Sequence, residues 1–218
     1  LITITATYIW FLAVGVYKFP DLIGTPAATI LVQYMFANLV FILTLFFLQT
    51  VKQRYIKAEV MEELANTDYL TGLPNRRKID QALHHALKRQ QKISIIYLDI
   101  DHFKQINDTF GHTAGDEALK EFSNETLEVL GEKNMLGRWG GEEFMIILKN
   151  DLNEATIFAE KIRAHIAEHR FETIGSLTVS FGVTELQEGD NLDTLLNRAD
   201  KALYIAKNSG RNRVVSNK

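Results

Sequence analysis

The sequence predicts an α/β (α+β) fold, a mixed central sheet with flanking helices, preceded by two transmembrane helices and a linker helix. Of the 24 Lys and Arg and 27 Asp and Glu in the 218 residues, only Lys18 and Asp21 lie before residue 51. Further along, strand-like and helical runs alternate, and a Gly-Gly pair joins two strand-like runs in the manner of a hairpin. We therefore expect a membrane region at residues 1–51, a linker at residues 52–67 and a globular domain at residues 68–218.

Two apolar runs predict the membrane region. Residues 1–17 nearly span a hydrocarbon core about 30 Å thick, at about 1.5 Å per residue. The second run, residues 27–51, is long enough to cross with some tilt. Because the sequence begins at Leu1 rather than Met, we expect it to lack upstream residues. A buried helical hairpin of a soluble protein is the alternative, which the long charge-free second run disfavours.

Basic residues predict the side of the membrane on which the globular domain lies. Lys52, Arg54 and Lys57 follow the second run, whereas the loop before it carries only Lys18. The positive-inside rule then places the C-terminal part in the cytoplasm.

The linker continues as a predicted helix. Ile56, Val60 and Leu64 recur every four residues, and charged residues fill the other face. This pattern fits a short parallel coiled coil or a lone amphipathic helix, and the sequence leaves both open.

Helices and strands interleave in the globular domain. A turn-rich stretch ends at Asn75, which can cap a helix. Asp99 follows an apolar strand, Gly111 and Gly115 mark a loop, and Asp116 can start the next helix. The predicted elements are a helix to about residue 90, a strand at 93–98, a helix at 116–130, the hairpin at 140–141, a helix at 153–169, a strand at 176–183, a helix at 192–208 and a short strand at 213–215.

Three carboxylates stand at predicted strand ends. Asp99 follows the first strand, and Glu142 and Glu143 follow the Gly-Gly pair. If the two strands are neighbours in the sheet, the three acids come together. Such oxygen clusters suit Mg²⁺, which can assist attack by a hydroxyl group on a phosphate. Taken alone, Asp99 is better explained as a cap and the glutamates as solvated surface residues.

Composition excludes several other kinds of site. The absence of cysteine excludes disulfides and cysteine metal sites. A net charge of −3 gives no general attraction to nucleic acid. His165 and His169 match the H-x-x-E-H spacing of inverted zinc peptidases, but no convincing third ligand accompanies them, so we expect a solvated helix face.

Four segments carry a more specific pattern. They are residues 68–77 (DYLTGLPNRR), 99–112 (DIDHFKQINDTFGH), 138–144 (RWGGEEF) and 206–212 (AKNSGRN). In this order and spacing they resemble the GGDEF family of diguanylate cyclases, in its Gly-Gly-Glu-Glu-Phe form. The resemblance extends from Asp68 to about Val215.

The resemblance implies a ferredoxin-like fold of the nucleotide-cyclase palm type and a nucleotidyltransferase activity. Enzymes of this family condense two GTP molecules into cyclic di-GMP and two pyrophosphates. Each subunit of a homodimer binds one GTP, and each 3′-hydroxyl attacks the α-phosphate of the other GTP. Mg²⁺ is the implied cofactor, with Mn²⁺ as an alternative, and no nucleic acid partner is implied.

The same resemblance implies roles for individual residues. Asp99, Glu142 and the backbone carbonyl of Ile100 would bind the metal, and Glu143 would be a second essential acid near the reacting hydroxyl. Which carboxylate takes the proton stays open. The implied substrate-binding residues are Asn107 and Asp116 for guanine, Lys104, Lys207 and Arg211 for the triphosphate, and Phe103, Gly140 and Gly141 for the shape of the pocket. Without the resemblance, turn, cap and solvated-surface roles explain these residues better.

One segment departs from the family pattern. Many members carry an inhibitory Arg-x-x-Asp site for the product shortly before the signature, and the aligned residues here are Gly131, Glu132, Lys133 and Asn134. We therefore predict no product-inhibition site at this position.

The alternative to an enzyme is an inactive module of the same fold that senses GTP or docks a partner. The apolar runs and the resemblance together imply a bacterial inner-membrane location, with the catalytic domain in the cytoplasm.

Overall fold

The protein is described by a computed structural model that covers residues 13, 25–131 and 134–218. Apart from residue 13, the first predicted span, residues 1–17, lies outside the described residues. The chain divides into two compact units, Leu1–Met61 and Glu62–Lys218.

One long helix, α1 (Pro26–Asn66), contains the second predicted span and all of the predicted linker except Thr67. Its part Thr29–Asn66 is long and apolar enough to cross a membrane, judged by length and composition. Large apolar side chains along it are exposed, Phe36 by 67%. Within the described part of the chain, no second helix meets this criterion.

The second unit is built on a five-stranded sheet. Its strands are β1 (Ser94–Ile100), β2 (Met135–Gly140), β3 (Glu143–Leu148), β4 (Val179–Glu185) and β5 (Val214–Ser216). The strand order is β2-β3-β1-β4-β5. All neighbours are antiparallel except β4 and β5, which are parallel. The predicted mixed sheet is therefore confirmed, and β1 lies at its centre.

Helices cover both faces of this sheet. They are α2 (Arg76–Lys88), α3 (Phe103–Phe110), α4 (His112–Leu130), α5 (Leu152–Glu168) and α6 (Leu192–Asn208). Alternate residues of β1 enter two hydrophobic cores: Ile96 and Leu98 pack with α4 and α5, whereas Ile95 and Tyr97 pack with α2 and α6. Because β1 is buried on both faces, the acid at its end has a fixed position.

A glycine brings α6 close to the sheet. A Cβ on Gly182 of β4 would collide with the backbone of Ala199 and Leu203 in α6. The close approach matters because the C-terminal end of α6 carries Lys207, one of the predicted phosphate-binding residues.

The structure differs from the predicted elements at α3, α4 and β4. Helix α3 is absent from the prediction, and α4 begins at His112 rather than Asp116, so that Gly115 lies inside a helix. Neither helix has a side-chain cap: α3 follows His102 (φ 59°) and α4 follows Gly111 (φ 86°). Capping signals therefore cannot locate their starts. The strand predicted at residues 176–183 is β4, which begins at Val179.

Candidate active site

The end of β1 lies beside the hairpin that joins β2 and β3. Asp99 is the register partner of Glu143 on β3. The backbone N–H of Ile100 donates to the carbonyl oxygen of Glu142 at 3.3 Å. The two strands are therefore neighbours, as the predicted acid cluster requires.

Asp99 is a buried acid with a cationic partner. The residue is 8% exposed, and the Nζ atom of Lys207 lies 2.7 Å from its Oδ2 atom. Burial raises the pKa of Asp99 to about 6; the contact with Lys207 opposes this rise, and the charges of Glu142 and Glu143 add to it. The charges of Glu142 and Glu143 thus act on Asp99, and a bound cation would relieve that repulsion.

The tip of the hairpin is open. No atom lies within 4 Å of the position that a Cβ would take on Gly140 or Gly141. Gly141 has a φ of 56°, which glycine adopts without strain. Trp139 lies at an irregularity in the β2–β3 register, and its ring packs edge-on against Tyr97 with 6.2 Å between centroids. The tip leaves room for a bulky ligand beside the backbone.

Arg138 fixes this tip to the turn-rich stretch before α2. Its Nε atom donates to the carbonyl oxygen of Gly141 at 2.8 Å, and its Nη1 atom lies 3.0 Å from Oδ1 of Asp68. Burial alone would raise the pKa of Asp68, but hydrogen bonds from Thr71 and Arg138 hold it below its usual value. The sequence singles out both segments as parts of one pattern, but it does not reveal that they touch.

The predicted guanine residues are brought together by contact between α3 and α4. Asn107 lies in α3, and Asp116 is an exposed residue of α4. A Cβ on Gly115 would collide with Oδ1 of Asn107 and would lie 3.3 Å from Phe103. Gly115 therefore lets Asn107 approach the turn of α4 that carries Asp116. The sequence analysis places this glycine in a loop. Its position between two amphipathic runs is the sequence feature that could have indicated a contact between two helices.

Of the three predicted triphosphate residues, Lys207 contacts Asp99, as described above. Lys104 is exposed in the first turn of α3, and Arg211 is exposed in the turn after α6. In the part of the chain that the structure describes, neither of these two cations forms an ion pair. Both are therefore available to an anionic ligand.

The donors fit Mg²⁺, although they do not form a closed metal cage. Among the described residues, no group of three or more His, Cys, Asp or Glu is arranged to hold a metal ion by itself. Mg²⁺ is commonly held by one or two carboxylates together with waters and substrate phosphates. Asp99, Glu142 and the carbonyl group of Ile100 offer such an incomplete set of hard oxygen donors.

Two other sequence features lie elsewhere. Of the residues aligned with the inhibitory product site, Glu132 and Lys133 lie outside the described residues. The side-chain amide of Asn134 donates to the carbonyl oxygen of Leu130 at 3.2 Å. His165 of α5 and His169, the residue directly after that helix, each have a ring nitrogen 2.8 Å from a glutamate of α4, Glu125 and Glu121 respectively. These histidines connect two scaffold helices instead of facing only solvent.

Comparisons with known proteins show which family this domain belongs to. The family model described as "Diguanylate cyclase, GGDEF domain" matches residues 65–213. The second unit is therefore a GGDEF domain, and the chain belongs to the GGDEF family of diguanylate cyclases.

Individual relatives support the assignment. The chain is 41% identical over 155 residues to diguanylate cyclase VdcA of Vibrio cholerae, covering 68% of this chain and 46% of VdcA. It is 43% identical over 164 residues to the response regulator PleD of Caulobacter vibrioides, covering 70% of this chain and 36% of PleD. The chain thus spans less than half the length of these two relatives.

Solved structures give the same result for the fold. The coiled coil and GGDEF domain of DgcB from Caulobacter crescentus, in complex with c-di-GMP, superposes with a TM-score of 0.71 at 32% identity, covering 77% of this chain and 93% of that one. The active GGEEF domain of a diguanylate cyclase from Vibrio cholerae gives a TM-score of 0.61 at 40% identity, covering 67% and 98%.

Proposed function

We propose that this protein is a Mg²⁺-dependent diguanylate cyclase that converts two GTP molecules into cyclic di-GMP and two pyrophosphates. The observation that carries the proposal is the meeting of three carboxylates and one lysine at the end of β1. Asp99 pairs there with Lys207, beside Glu142 and Glu143. This charge pattern suits a metal-bound triphosphate, and its four residues lie in three of the four segments that resemble the family.

In the proposed reaction, Asp99, Glu142 and the Ile100 carbonyl hold Mg²⁺, which would stabilise the charge on the phosphates. Lys104, Lys207 and Arg211 bind the triphosphate and neutralise its remaining charge. Asn107 and Asp116 form hydrogen bonds with guanine, and a carboxylate suits the N–H groups of that base. The open glycine tip and Phe103 shape the pocket.

Glu143 is the acid that we place nearest the reacting 3′-hydroxyl. The hydroxyl oxygen attacks the α-phosphorus of the other GTP, the bond to the β-phosphate oxygen breaks, and pyrophosphate leaves. The hydroxyl proton passes to a carboxylate of the site. A ring with two such linkages requires the step to occur twice, so two sites must face each other in a homodimer.

The N-terminal part of the chain suggests how these domains are held together. We propose that α1 crosses the bacterial inner membrane, with residues 1–51 as the membrane region and residues 52–67 as the linker. The cluster of Lys52, Arg54 and Lys57 supports a cytoplasmic domain at residues 68–218. Pairing of the linker helices would bring two half-sites together.

The proposal is tested with the purified chain, GTP and Mg²⁺, by mass spectrometry of the product. We expect cyclic di-GMP from the wild-type protein, none from Glu143→Ala, and wild-type amounts from Glu188→Ala, a control that removes an exposed glutamate in the turn before α6. A dimeric protein that binds GTP without forming product would instead be a sensing module. Absence of GTP binding would indicate a docking role.

A further inference from the structure

Asp101 is a buried carboxylate near the proposed active site to which the resemblance assigns no role. It is 5% exposed. Its Oδ1 atom accepts a hydrogen bond from the hydroxyl of Ser180 at 2.7 Å, and its Oδ2 atom accepts one from the hydroxyl of Thr178 at 2.8 Å. The backbone N–H of Asn212 also donates to Oδ2, at 3.0 Å. A buried charge persists only when hydrogen bonds or an opposite charge compensate its lost hydration.

The third of these donors belongs to an unusual turn. Gly210, Arg211 and Asn212 follow α6 with φ values of 111°, 60° and 43°. A left-handed backbone is unfavourable for Arg211, whereas Asn adopts it more readily than most other residues. Such a conformation is retained only where surrounding contacts impose it.

Contacts on three sides impose this conformation. The N–H of Arg211 donates to the carbonyl of Ala206 at 3.1 Å, which connects the turn to α6. The Nη1 atom of Arg163, on α5, donates to the side-chain oxygen of Asn212 at 2.9 Å. The contact with Asp101 connects the turn to the end of β1. Of these three contacts, it is the one in which a buried carboxylate holds the turn.

The position of Asp101 explains why this contact bears on substrate binding. Asp99, two residues earlier, pairs with Lys207 near the end of α6. Asp101 then holds the turn that carries Arg211, four residues beyond that lysine. Two acids at the end of one central strand thus fix the positions of two cations that we assign to the triphosphate.

We propose that Asp101 is a positioning residue, which presents Arg211 to the triphosphate by fixing the left-handed turn through the N–H of Asn212. This inference rests on the proposed function, because it assumes that Arg211 binds GTP. Asp101 does not touch the substrate in this view. It lowers the cost of ordering Arg211 before GTP arrives, so its loss weakens binding more than it slows the chemical step.

The informative variant is Asp101→Asn, which keeps the shape of the side chain and removes its charge. Calorimetry with the full chain and Mg²⁺-GTP should show a dissociation constant about tenfold higher than that of the wild type, since a charge-assisted hydrogen bond to the turn is weakened. We expect KM to rise in parallel and kcat to change less than about threefold. Asp193→Asn, at an exposed residue in the first turn of α6, is the matched control and should leave both unchanged.

A double-mutant cycle separates positioning from a general structural role. Arg211→Ala should weaken GTP binding by itself, and adding Asp101→Asn should then have little further effect. Hydrogen exchange of residues 209–213 should accelerate in Asp101→Asn without nucleotide. If Asp101→Asn does not fold, Arg163→Met tests the same turn through the other side of Asn212, with the same direction of change.

Each outcome decides the matter. A wild-type chain that binds no GTP overturns the proposed function, and this inference with it. A wild-type chain that binds GTP, combined with unchanged affinity in Asp101→Asn or with fully additive losses in the double variant, overturns the role of Asp101 alone. Unchanged affinity and exchange in Arg163→Met would do the same where Asp101→Asn cannot be measured.

Discussion

Asp190, in the turn before α6, and Arg198 of α6 form an ion pair whose contribution to stability should depend on pH. The side chain of Asp190 is 7% exposed, and its Oδ2 atom lies 2.6 Å from Nη2 of Arg198. Arg198 also donates to the hydroxyl of Thr184 and the carbonyl of Glu185. This pair therefore joins the end of β4 to α6, the helix that carries Lys207. The variant Asp190→Asn removes the charge and keeps the shape.

The structure gives the size and sign of the effect. The hydrogen bond from Arg198, together with those from Gln187 and Thr194 and the charge of Arg198, lowers the pKa of Asp190 from 3.8 to about 2, despite the opposing effect of burial. At about 1.4 kcal/mol per pKa unit, the folded state gains about 2 kcal/mol from this ionisation. Because the folded pKa is the lower one, the gain is complete above about pH 5, and it is lost as the pH falls through about 4 towards 2.

The measurement is urea unfolding of the compact unit Glu62–Lys218, followed by the fluorescence of Trp139, its single tryptophan. At pH 7 the free energy of unfolding of Asp190→Asn should be about 2 kcal/mol below that of the wild type. The difference should shrink between about pH 4 and pH 2. Glu188→Gln removes an exposed charge from the same turn and should show neither effect. A difference between Asp190→Asn and wild type that stays constant or widens on acidification would refute the assignment of the ion pair.

Two further predictions concern the site. Gly115→Ala should leave the free energy of unfolding within about 1 kcal/mol of the wild type, because alanine favours the helix and the end of the Asn107 side chain can rotate away. The same variant should raise the KM for GTP about tenfold, because Asn107 is displaced. Unchanged KM would show that Asn107 does not contact guanine. Burial and the charge of Glu143 raise the pKa of Tyr97. Tyr97→Phe keeps the ring against Trp139 and should lower kcat by about tenfold or less, with little change in KM; an equal loss in Trp139→Phe would indicate a packing effect.

The sequence predicts those elements whose limits are set by local chemistry. Asn75 caps α2 through its side chain, which accepts from the N–H of Lys78 at 3.2 Å, and α6 runs from Leu192 to Asn208 as predicted. Helix α3 escapes prediction because it is eight residues long and starts after a left-handed His102 without a side-chain cap. Its start depends on tertiary contacts, which a local pattern does not contain.

In the site, too, some features follow from local sequence and others depend on tertiary contacts. The identity of its acids and cations follows from the ordered segments, because these residues stand in recognisable local patterns. Their connections do not follow: Asp101 bonds with Ser180, and Arg138 with Asp68, across 79 and 70 residues of sequence. No spacing rule links such distant residues, so their pairing becomes visible only once the strand order is known.

The contact between Lys207 and Asp99 has a consequence for how the proposed site binds GTP. Each residue already has an opposite charge as its partner, at 2.7 Å. In the proposed complex, Mg²⁺ would take the place of the lysine beside Asp99, and the triphosphate would take the place of the aspartate beside Lys207. Both charges therefore exchange one partner for another, and the buried Asp99 is not left unpaired. Because a triphosphate that drew Lys207 away without the metal would leave Asp99 buried and unpaired, metal and nucleotide should bind this site cooperatively.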